Sequence, residues 1–150
     1  MQNFDKNIKM VCAVIQATYK SELFPGKSMI KIAGKTVLEH VVSRIRQIKC
    51  VSEITLATSD TKPDDPLVDE AKRLNISVLR GSESEVISRL CKAIESFQDQ
   101  TILKVNGNYP LFDPHLAEDL ISEHIGGDYE FSYNEHLEGT LYGTGCEIIK

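Results

Sequence analysis

The 150-residue sequence contains no tryptophan, no long apolar run and no excess of basic residues. The longest apolar stretch, residues 10–15, is about six residues long, whereas a membrane-spanning helix needs roughly 20, so we expect no membrane segment. Seventeen Lys and Arg against 22 Asp and Glu give a formal net charge of −5. Proteins that coat nucleic acids carry a basic footprint, so we expect no nucleic-acid partner. A nucleotide ligand stays open, because it needs only a local cluster of positive groups.

The sequence also lacks the marks of a secreted or zinc-binding protein. The polar start, MQNFDKNIK, has neither the basic beginning nor the apolar region of a signal peptide. The cysteines are about 40 to 55 residues apart and form no C-x-x-C pair, which argues against disulfides and a zinc site. The histidines likewise lack the spacing of a metal site. We therefore expect a cytoplasmic protein with reduced cysteines, with Cys12 in the core.

The remaining pattern alternates short apolar runs with longer amphipathic segments. Runs rich in β-branched residues predict strands, and apolar residues at helical spacing predict helices. Strands are predicted over residues 10–17, 53–58, 76–79, 101–105, 128–133 and 146–150, and helices over 36–48, 66–74, 85–97 and 114–124. Strand and helix alternating four times predict one α/β domain over residues 1–150, a three-layer, Rossmann-like sandwich with a mostly parallel sheet.

In such sheets ligands bind beyond the carboxyl ends of the strands. The candidate site is therefore built from the loops after Ala17, Thr58, Leu79 and Val105. The acidic stretch over residues 60–69 is interpreted as a solvated loop and helix start, with Asp64-Asp65 as possible N-caps.

Two of these loops contain candidate site residues. The first loop ends in Pro25-Gly26-Lys27, where backbone N–H groups and one ammonium could cradle phosphates. It is not a Walker loop, because Ser21 stands where that motif needs glycine. The fourth loop bends at Gly107 and Pro110 before a helix that starts at Asp113-Pro114. Taken singly, the first loop also fits an ordinary tight turn, and the fourth an ordinary strand–turn–helix joint.

Several segments form one ordered pattern along the chain. They are Ile15-Gln16-Ala17, Ser21, Pro25-Gly26-Lys27, Gly34-Lys35, Leu38-Glu39-His40, Ala57-Thr58-Ser59-Asp60, Arg80-Gly81-Ser82-Glu83, Val86, Arg89, Gly107, Pro110-Leu111 and Asp113-Pro114. This pattern resembles the cytidylyltransferase family, which includes CMP-sugar-acid synthetases and spore-coat polysaccharide biosynthesis proteins. The resemblance runs from about residue 10 to at least 114, and a later segment, Tyr142 to Glu147, looks like the family's Gly-x-x-x-Glu/Asp strand.

The resemblance implies a nucleotide-diphosphosugar-transferase-like fold that binds CTP, or another cytidine nucleotide, over the first loop. Such enzymes join CMP to a sugar hydroxyl and release pyrophosphate, with Mg²⁺ held by the aspartate of a G-D-x-P turn. It also implies a possible homodimer or additional domain. The implied catalytic residue is Lys27, and the implied metal position is Asn108. The implied substrate-binding residues are Gln16, Ala17, Lys20, Ser21, Gly26, Ser82, Arg89 and Gly107.

The sequence departs from the family pattern where charge is needed. Thr18 and Leu23 stand in place of two arginines, and Asn108 in place of the metal-binding aspartate. Hydrogen bonds to charged groups contribute about 1.5–3 kcal/mol each, so two lost arginines would cost roughly 3–6 kcal/mol. The sequence also ends before the family's C-terminal portion. We expect a cytidylyltransferase-like protein of CMP-sugar synthesis for bacterial surface polysaccharide with weakened catalysis; the alternative is an inactive nucleotide-binding or assembly module.

Overall fold

The computed structural model describes residues 10–21, 23–84, 86–95, 97, 101–134, 139 and 141–150. Their main feature is a six-stranded sheet in the order β5-β4-β1-β6-β8-β7. The strands are β1 (Val11–Gln16), β4 (Val51–Ser59), β5 (Ser77–Gly81), β6 (Thr101–Asn106), β7 (Phe131–Tyr133) and β8 (Glu147–Ile149). A small hairpin of β2 (Lys31–Ile32) and β3 (Lys35–Thr36) stands apart from this sheet.

The sheet is parallel over its first four strands. β1 pairs in parallel with β4 on one side and β6 on the other, and β4 pairs in parallel with β5. β8 runs antiparallel to both β6 and β7. The apolar run VCAVIQ lies in the middle of the sheet, with Val11 to Ile15 buried, as a strand covered on both faces requires.

Helices cover both faces of the sheet: α1 (Val37–Ile45), α2 (Asp65–Arg73), α3 (Val86–Glu95) and α4 (Pro114–Gly126). Val11, Ala13 and Ile15 pack in one core cluster with apolar residues of α1, α2 and α4. Cys12 and Val14 face the opposite side, where α3 and Phe97 cover them. The predicted three-layer α/β architecture is confirmed, as is the core position of Cys12.

Side chains at two helix starts explain why those helices begin where they do. The Thr36 hydroxyl oxygen accepts the N–H of Glu39 at 3.0 Å and caps α1, while its hydroxyl donates to Glu70 on α2 at 2.6 Å. Asp113 caps α4 by accepting the N–H groups of His115 and Leu116. The residue before each of these helices is extended, so the first N–H groups of the helix have no carbonyl of a preceding turn to bond. The capping side chains supply that acceptor.

Some predicted boundaries differ from the structure. The hairpin of β2 and β3 lies in a segment for which the sequence predicts no strand. It turns through Ala33 and Gly34, both at positive φ. The strand predicted over residues 128–133 is only β7, because Asp128 adopts a left-handed conformation (φ 52°) and forms a turn. Residues 85 and 96 of the predicted helix over 85–97 lie outside the described ranges. Among the described residues, no helix is long and apolar enough to cross a membrane.

Candidate functional site

The carboxyl ends of β1, β4 and β6 bring the predicted site residues of the first and fourth loops to one edge of the sheet. Gln16, the last residue of β1, lies opposite Ala57 in β4 and Asn106 in β6. Beyond the strand, the N–H of Ala17 donates to the Ala57 carbonyl at 3.3 Å. On the other side, the N–H of Gly107 donates to the Gln16 carbonyl at 2.9 Å. The loops that follow β4, β1 and β6 therefore start side by side at this edge of the sheet.

Gly107 permits the close approach of the first and fourth loops. A Cβ atom at this position would lie 2.7 Å from the Ala17 Cβ and 3.2 Å from the Gln16 carbonyl oxygen. Real Cβ contacts are essentially never as short as 2.7 Å, and both neighbours are held by the sheet. Glycine is therefore required here for steric reasons.

The first loop closes on itself through Tyr19 and Gly26. The N–H of Gly26 donates to the Tyr19 carbonyl at 2.7 Å, and Gly26 adopts φ +71° directly beneath the Tyr19 ring. The Gly26 carbonyl then accepts the N–H of Met29, which begins a short 3-10 turn over Lys27–Met29. Lys27 is thus half-buried at the start of an ordered turn. Within the loop, Ser21 accepts the N–H of Phe24 at 3.3 Å.

Asp64 joins the first loop to the end of β4. Its carboxylate accepts the N–H of Tyr19 at 2.7 Å, the hydroxyl of Thr58 at 2.7 Å and the N–H of Ser59 at 2.8 Å. Burial raises the pKa of Asp64, but the hydrogen bonds from Ser59, Thr58 and Tyr19 outweigh it and hold the pKa below its ordinary value. The sequence interpretation was wrong here: Asp64 is 1% exposed and makes no capping bond to α2.

A contact between Ser28 and Asn108 ties the first loop to the fourth. The Ser28 hydroxyl donates to the Asn108 side-chain oxygen at 2.5 Å, and Ser28 is fully buried. The Asn108 N–H donates to the side-chain oxygen of Asn106 at 3.0 Å, which fixes the turn after β6. Ser28 was not among the residues singled out from the sequence, because a serine after Gly-Lys has no distinctive pattern.

Lys20 and the two neutral residues that replace the family's arginines lie in the first loop. Lys20 forms a 2.9 Å ion pair with Glu83, and its side chain is 74% exposed. That pair raises the pKa of Lys20, so the ammonium stays charged but already faces a carboxylate. Thr18 donates its hydroxyl to the Lys20 carbonyl at 3.2 Å, and Leu23 is 97% exposed.

The other two implied binding residues, Ser82 and Arg89, lie on the loop after β5 and on the helix that follows it. The Ser82 and Ser84 hydroxyls are 3.0 Å apart, beside the Lys20–Glu83 ion pair. Arg89 lies on α3, and its side chain is outside the described part of the chain. Arg80 turns back onto the loop after β4, donating to the Ser59 and Thr61 carbonyls and pairing with Asp65 at 2.8 Å.

An aromatic pair borders the site beyond the fourth loop. Tyr109, next to Asn108, meets the Tyr142 ring edge-on with centroids 5.7 Å apart. The turn that carries Tyr142 is fixed by Thr144, whose hydroxyl donates to the Leu141 carbonyl at 2.7 Å. The Thr144 carbonyl in turn accepts the N–H of Asp113 at 3.0 Å, so this turn is bound to the fourth loop.

The donor set at Asn108 does not fit a magnesium ion held by the protein. The side chains joined there, those of Asn108, Ser28 and Asn106, offer neutral oxygens, and the Asn108 oxygen already accepts a hydroxyl. Mg²⁺ binds through one or two carboxylates together with substrate phosphates. Across the described ranges, no group of three His, Cys, Asp or Glu side chains could hold a metal ion. His136 lies outside those ranges.

Comparison with known proteins identifies the family. A sequence model of the cytidylyltransferase family matches residues 12–139. The spore coat polysaccharide biosynthesis protein SpsF of Bacillus subtilis is 33% identical over 130 residues, 83% of this chain and 54% of that protein. The 3-deoxy-manno-octulosonate cytidylyltransferase of Syntrophotalea carbinolica is 33% identical over 108 residues, 72% of this chain and 42% of that protein. The chain thus spans about half the length of these relatives.

Solved structures agree with the sequence comparison. A cytidylyltransferase from Leptospira borgpetersenii superimposes with a TM-score of 0.87 at 26% identity, covering 94% of this chain and 60% of that one. A CMP:2-keto-3-deoxy-manno-octonic acid synthetase, solved in complex with CTP, shares the fold with a TM-score of 0.68 at 24% identity, covering 79% of this chain and 48% of that one. With its parallel sheet and its converging first and fourth loops, the chain belongs to the cytidylyltransferase family.

Proposed function

We propose that the chain binds a cytidine nucleotide at the carboxyl edge of β1, β4 and β6, with the triphosphate over the first loop. The observation that carries the proposal is the joining of the loops at this edge. Gly107 is bound to Gln16, and Ser28 to Asn108. These contacts form a preorganised rim in which Lys27 follows the Gly26 turn, and an ammonium carried by an ordered backbone turn suits a phosphate.

The reaction supported by this arrangement is transfer of CMP to a sugar hydroxyl, with release of pyrophosphate, for a surface polysaccharide. The named functions of the spore coat and 3-deoxy-manno-octulosonate relatives support this substrate class. The hydroxyl would attack the α-phosphate in line with the leaving pyrophosphate, so catalysis depends on positioning and on neutralising charge. An acceptor approaching from the β6 side would meet the Tyr109–Tyr142 aromatic pair.

Catalysis is weakened because the site offers few positive groups. Lys27 remains, but Lys20 is paired with Glu83 and Leu23 projects a neutral side chain into solvent. The neutral Asn108 gives a metal no anionic oxygen, so Mg²⁺ bound to the nucleotide adds little to affinity. The nucleotide is held mainly by the loop and one ammonium.

The test is a calorimetric titration with CTP, with and without Mg²⁺, followed by measurement of pyrophosphate release with 3-deoxy-manno-octulosonate and related sugar acids. We expect CTP binding that Mg²⁺ changes little, and slow release. Lys27→Ala should weaken binding by about tenfold, the worth of one charge-assisted contact. Lys20→Ala is the matched control, and should change affinity by less than about threefold because Glu83 already engages that ammonium. Absence of CTP binding by the parent chain would overturn the proposal.

A second function, a nucleotide-binding module without turnover, is favoured by the same neutral residues. Thr18 makes only a local hydrogen bond within the loop and Leu23 is exposed, so neither contributes charge to the site and the fold depends on neither. CTP binding with no pyrophosphate release above the Lys27→Ala background, for any acceptor, would support this module over the enzyme.

A further inference from the structure

A buried carboxylate lies between the first loop and the sheet without serving the helix that follows it. Asp64 stands at the N-cap position of α2, where a side chain normally accepts a helix N–H, yet it makes no such bond. Both of its oxygens turn the other way. One accepts the Tyr19 N–H, and the second accepts the Thr58 hydroxyl and the Ser59 N–H.

Burying this carboxylate is costly unless it is fully hydrogen-bonded, and three donors meet it here. Two of them belong to the end of β4, which the sheet holds in place. The third is the backbone of Tyr19, at the base of the first loop. Asp64 therefore fixes the base of the first loop to the end of β4.

The series of contacts extends from Tyr19 to Lys27, the residue proposed above to bind the phosphates. The Tyr19 carbonyl accepts the Gly26 N–H at 2.7 Å, and the Tyr19 ring lies so close to Gly26 that a Cβ there would be 2.8 Å from the ring. Lys27 follows directly and begins the 3-10 turn. Asp64, Tyr19, Gly26 and Lys27 thus form one continuous series of contacts.

We propose that Asp64 is a positioning residue of the nucleotide site, which holds Tyr19 against the end of β4 and so sets the place of Lys27 opposite the phosphates. The effect of Asp64 on nucleotide binding rests on the proposed function. The structural part of the inference, the fixing of the first loop, is independent of any ligand.

The variant that tests the role is Asp64→Asn. The amide keeps the shape but has one acceptor oxygen, and its NH₂ group would face donors where the carboxylate accepted them. The matched control is Glu70→Gln. Glu70 is a buried carboxylate too, on α2, but its hydrogen bonds come from Thr36 and Arg73 and not from Tyr19 or Gly26.

Two readouts separate positioning from general stability. Hydrogen exchange of the Tyr19 and Gly26 amides should speed up by about tenfold or more in Asp64→Asn and stay unchanged in Glu70→Gln. The reason is that Asp64, unlike Glu70, accepts the N–H of Tyr19, whose carbonyl in turn accepts the N–H of Gly26. The CTP dissociation constant, measured well below both melting temperatures, should rise by about tenfold in Asp64→Asn and by less than about threefold in Glu70→Gln.

Unchanged exchange at Tyr19 and Gly26 in Asp64→Asn would overturn the positioning role, whether or not the parent chain binds CTP. Faster exchange with an unchanged CTP dissociation constant would overturn the link from Asp64 to the nucleotide. If the parent binds no CTP, the proposed function fails, and exchange alone decides whether Asp64 fixes the loop. Should Asp64→Asn not fold, Thr58→Val removes one donor and leaves the charge; it should speed exchange of the same two amides by about threefold, and no change there would again overturn the role.

Discussion

The hydroxyl of Ser28 donates a 2.5 Å hydrogen bond to the side-chain oxygen of Asn108, across 80 positions of sequence. This contact closes the first loop onto the turn after β6. A carboxylate at position 108 could accept the same hydroxyl, and a hydrogen bond to a charged acceptor is stronger than one to an amide. The neutral side chain is therefore compatible with the closure of the loops but is not required for it.

The first prediction follows from restoring charge at the rim. Thr18→Arg, Leu23→Arg and Asn108→Asp together should raise CTP affinity in the presence of Mg²⁺ by at least about tenfold, because two arginines would add charge-assisted phosphate contacts. Asn108→Asp alone should gain little, since a metal without a well-held triphosphate has few ligands to bridge. Calorimetric titration of the single and triple variants measures the difference.

The triple variant should fold as the parent does. Leu23 is almost fully exposed and Thr18 makes only a local bond within its loop, so the free energy of unfolding should change by less than about 1 kcal/mol. A correctly folded triple variant that gains less than about tenfold in affinity would show that missing charge is not what limits nucleotide binding.

The second prediction concerns Gly107. Gly107→Ala forces a Cβ against Ala17 and the Gln16 carbonyl, and overpacking of this kind costs about 1–3 kcal/mol. CTP binding should weaken as well, because the first and fourth loops would be pushed apart. Urea unfolding and calorimetry measure the two effects.

Gly126→Ala is the control for that substitution. It is the last residue of α4 with nothing within 4 Å of the added methyl group, so the free energy of unfolding should stay the same or rise by up to about 1 kcal/mol, because alanine favours the helix more than glycine does. Equal losses in the two alanine variants would contradict the role assigned to the close approach at Gly107.

The fold was predictable from the sequence because its strands and helices bury strong, periodic apolar faces. β1 and α1 are examples: a continuous apolar run and a helical stripe leave few alternatives. The hairpin of β2 and β3 was missed because it has two-residue strands that are mostly exposed, with no apolar pattern to reveal it.

The site was predictable only where residue type and order are distinctive. Gly26 and Gly107 stood out as turn residues, and the structure shows a positive φ at the first and a close approach at the second. The sequence predicts a solvated position for Asp64 within the acidic stretch, since nothing in the local sequence distinguishes it from Asp60 or Asp65. Its burial depends on Tyr19, 45 residues earlier, and becomes visible only in three dimensions.

The third prediction concerns pH. Burial lowers the pKa of His124, as does the Lys150 cation, against smaller opposing effects of Glu130 and Asp128. When the pH falls below about 6.5, the unfolded chain takes up a proton that the folded chain resists, so the free energy of unfolding decreases until the pH passes the folded pKa. Urea unfolding at about pH 7.5 and about pH 5.5 should show this loss of stability.

His124→Asn removes the titrating group while an amide can still reach Ser132, which contacts the histidine Nδ1 at 2.8 Å. This variant should lose less stability over the same pH interval than the parent. His115→Asn, on the exposed side of the same helix, should behave as the parent does. An identical pH dependence in the parent and His124→Asn would show that His124 is not the responsible group.

The central place of β1 also governs how the sheet can be completed during synthesis. Val11 pairs with Val51 on one side and with Thr101 on the other, so the two partners of β1 are made about 40 and about 90 residues later. Until β6 has left the ribosome, one edge of the most apolar strand has no neighbour to pair with. A nascent or truncated chain ending before residue 101 would expose that edge to other chains, and we expect it to aggregate rather than fold.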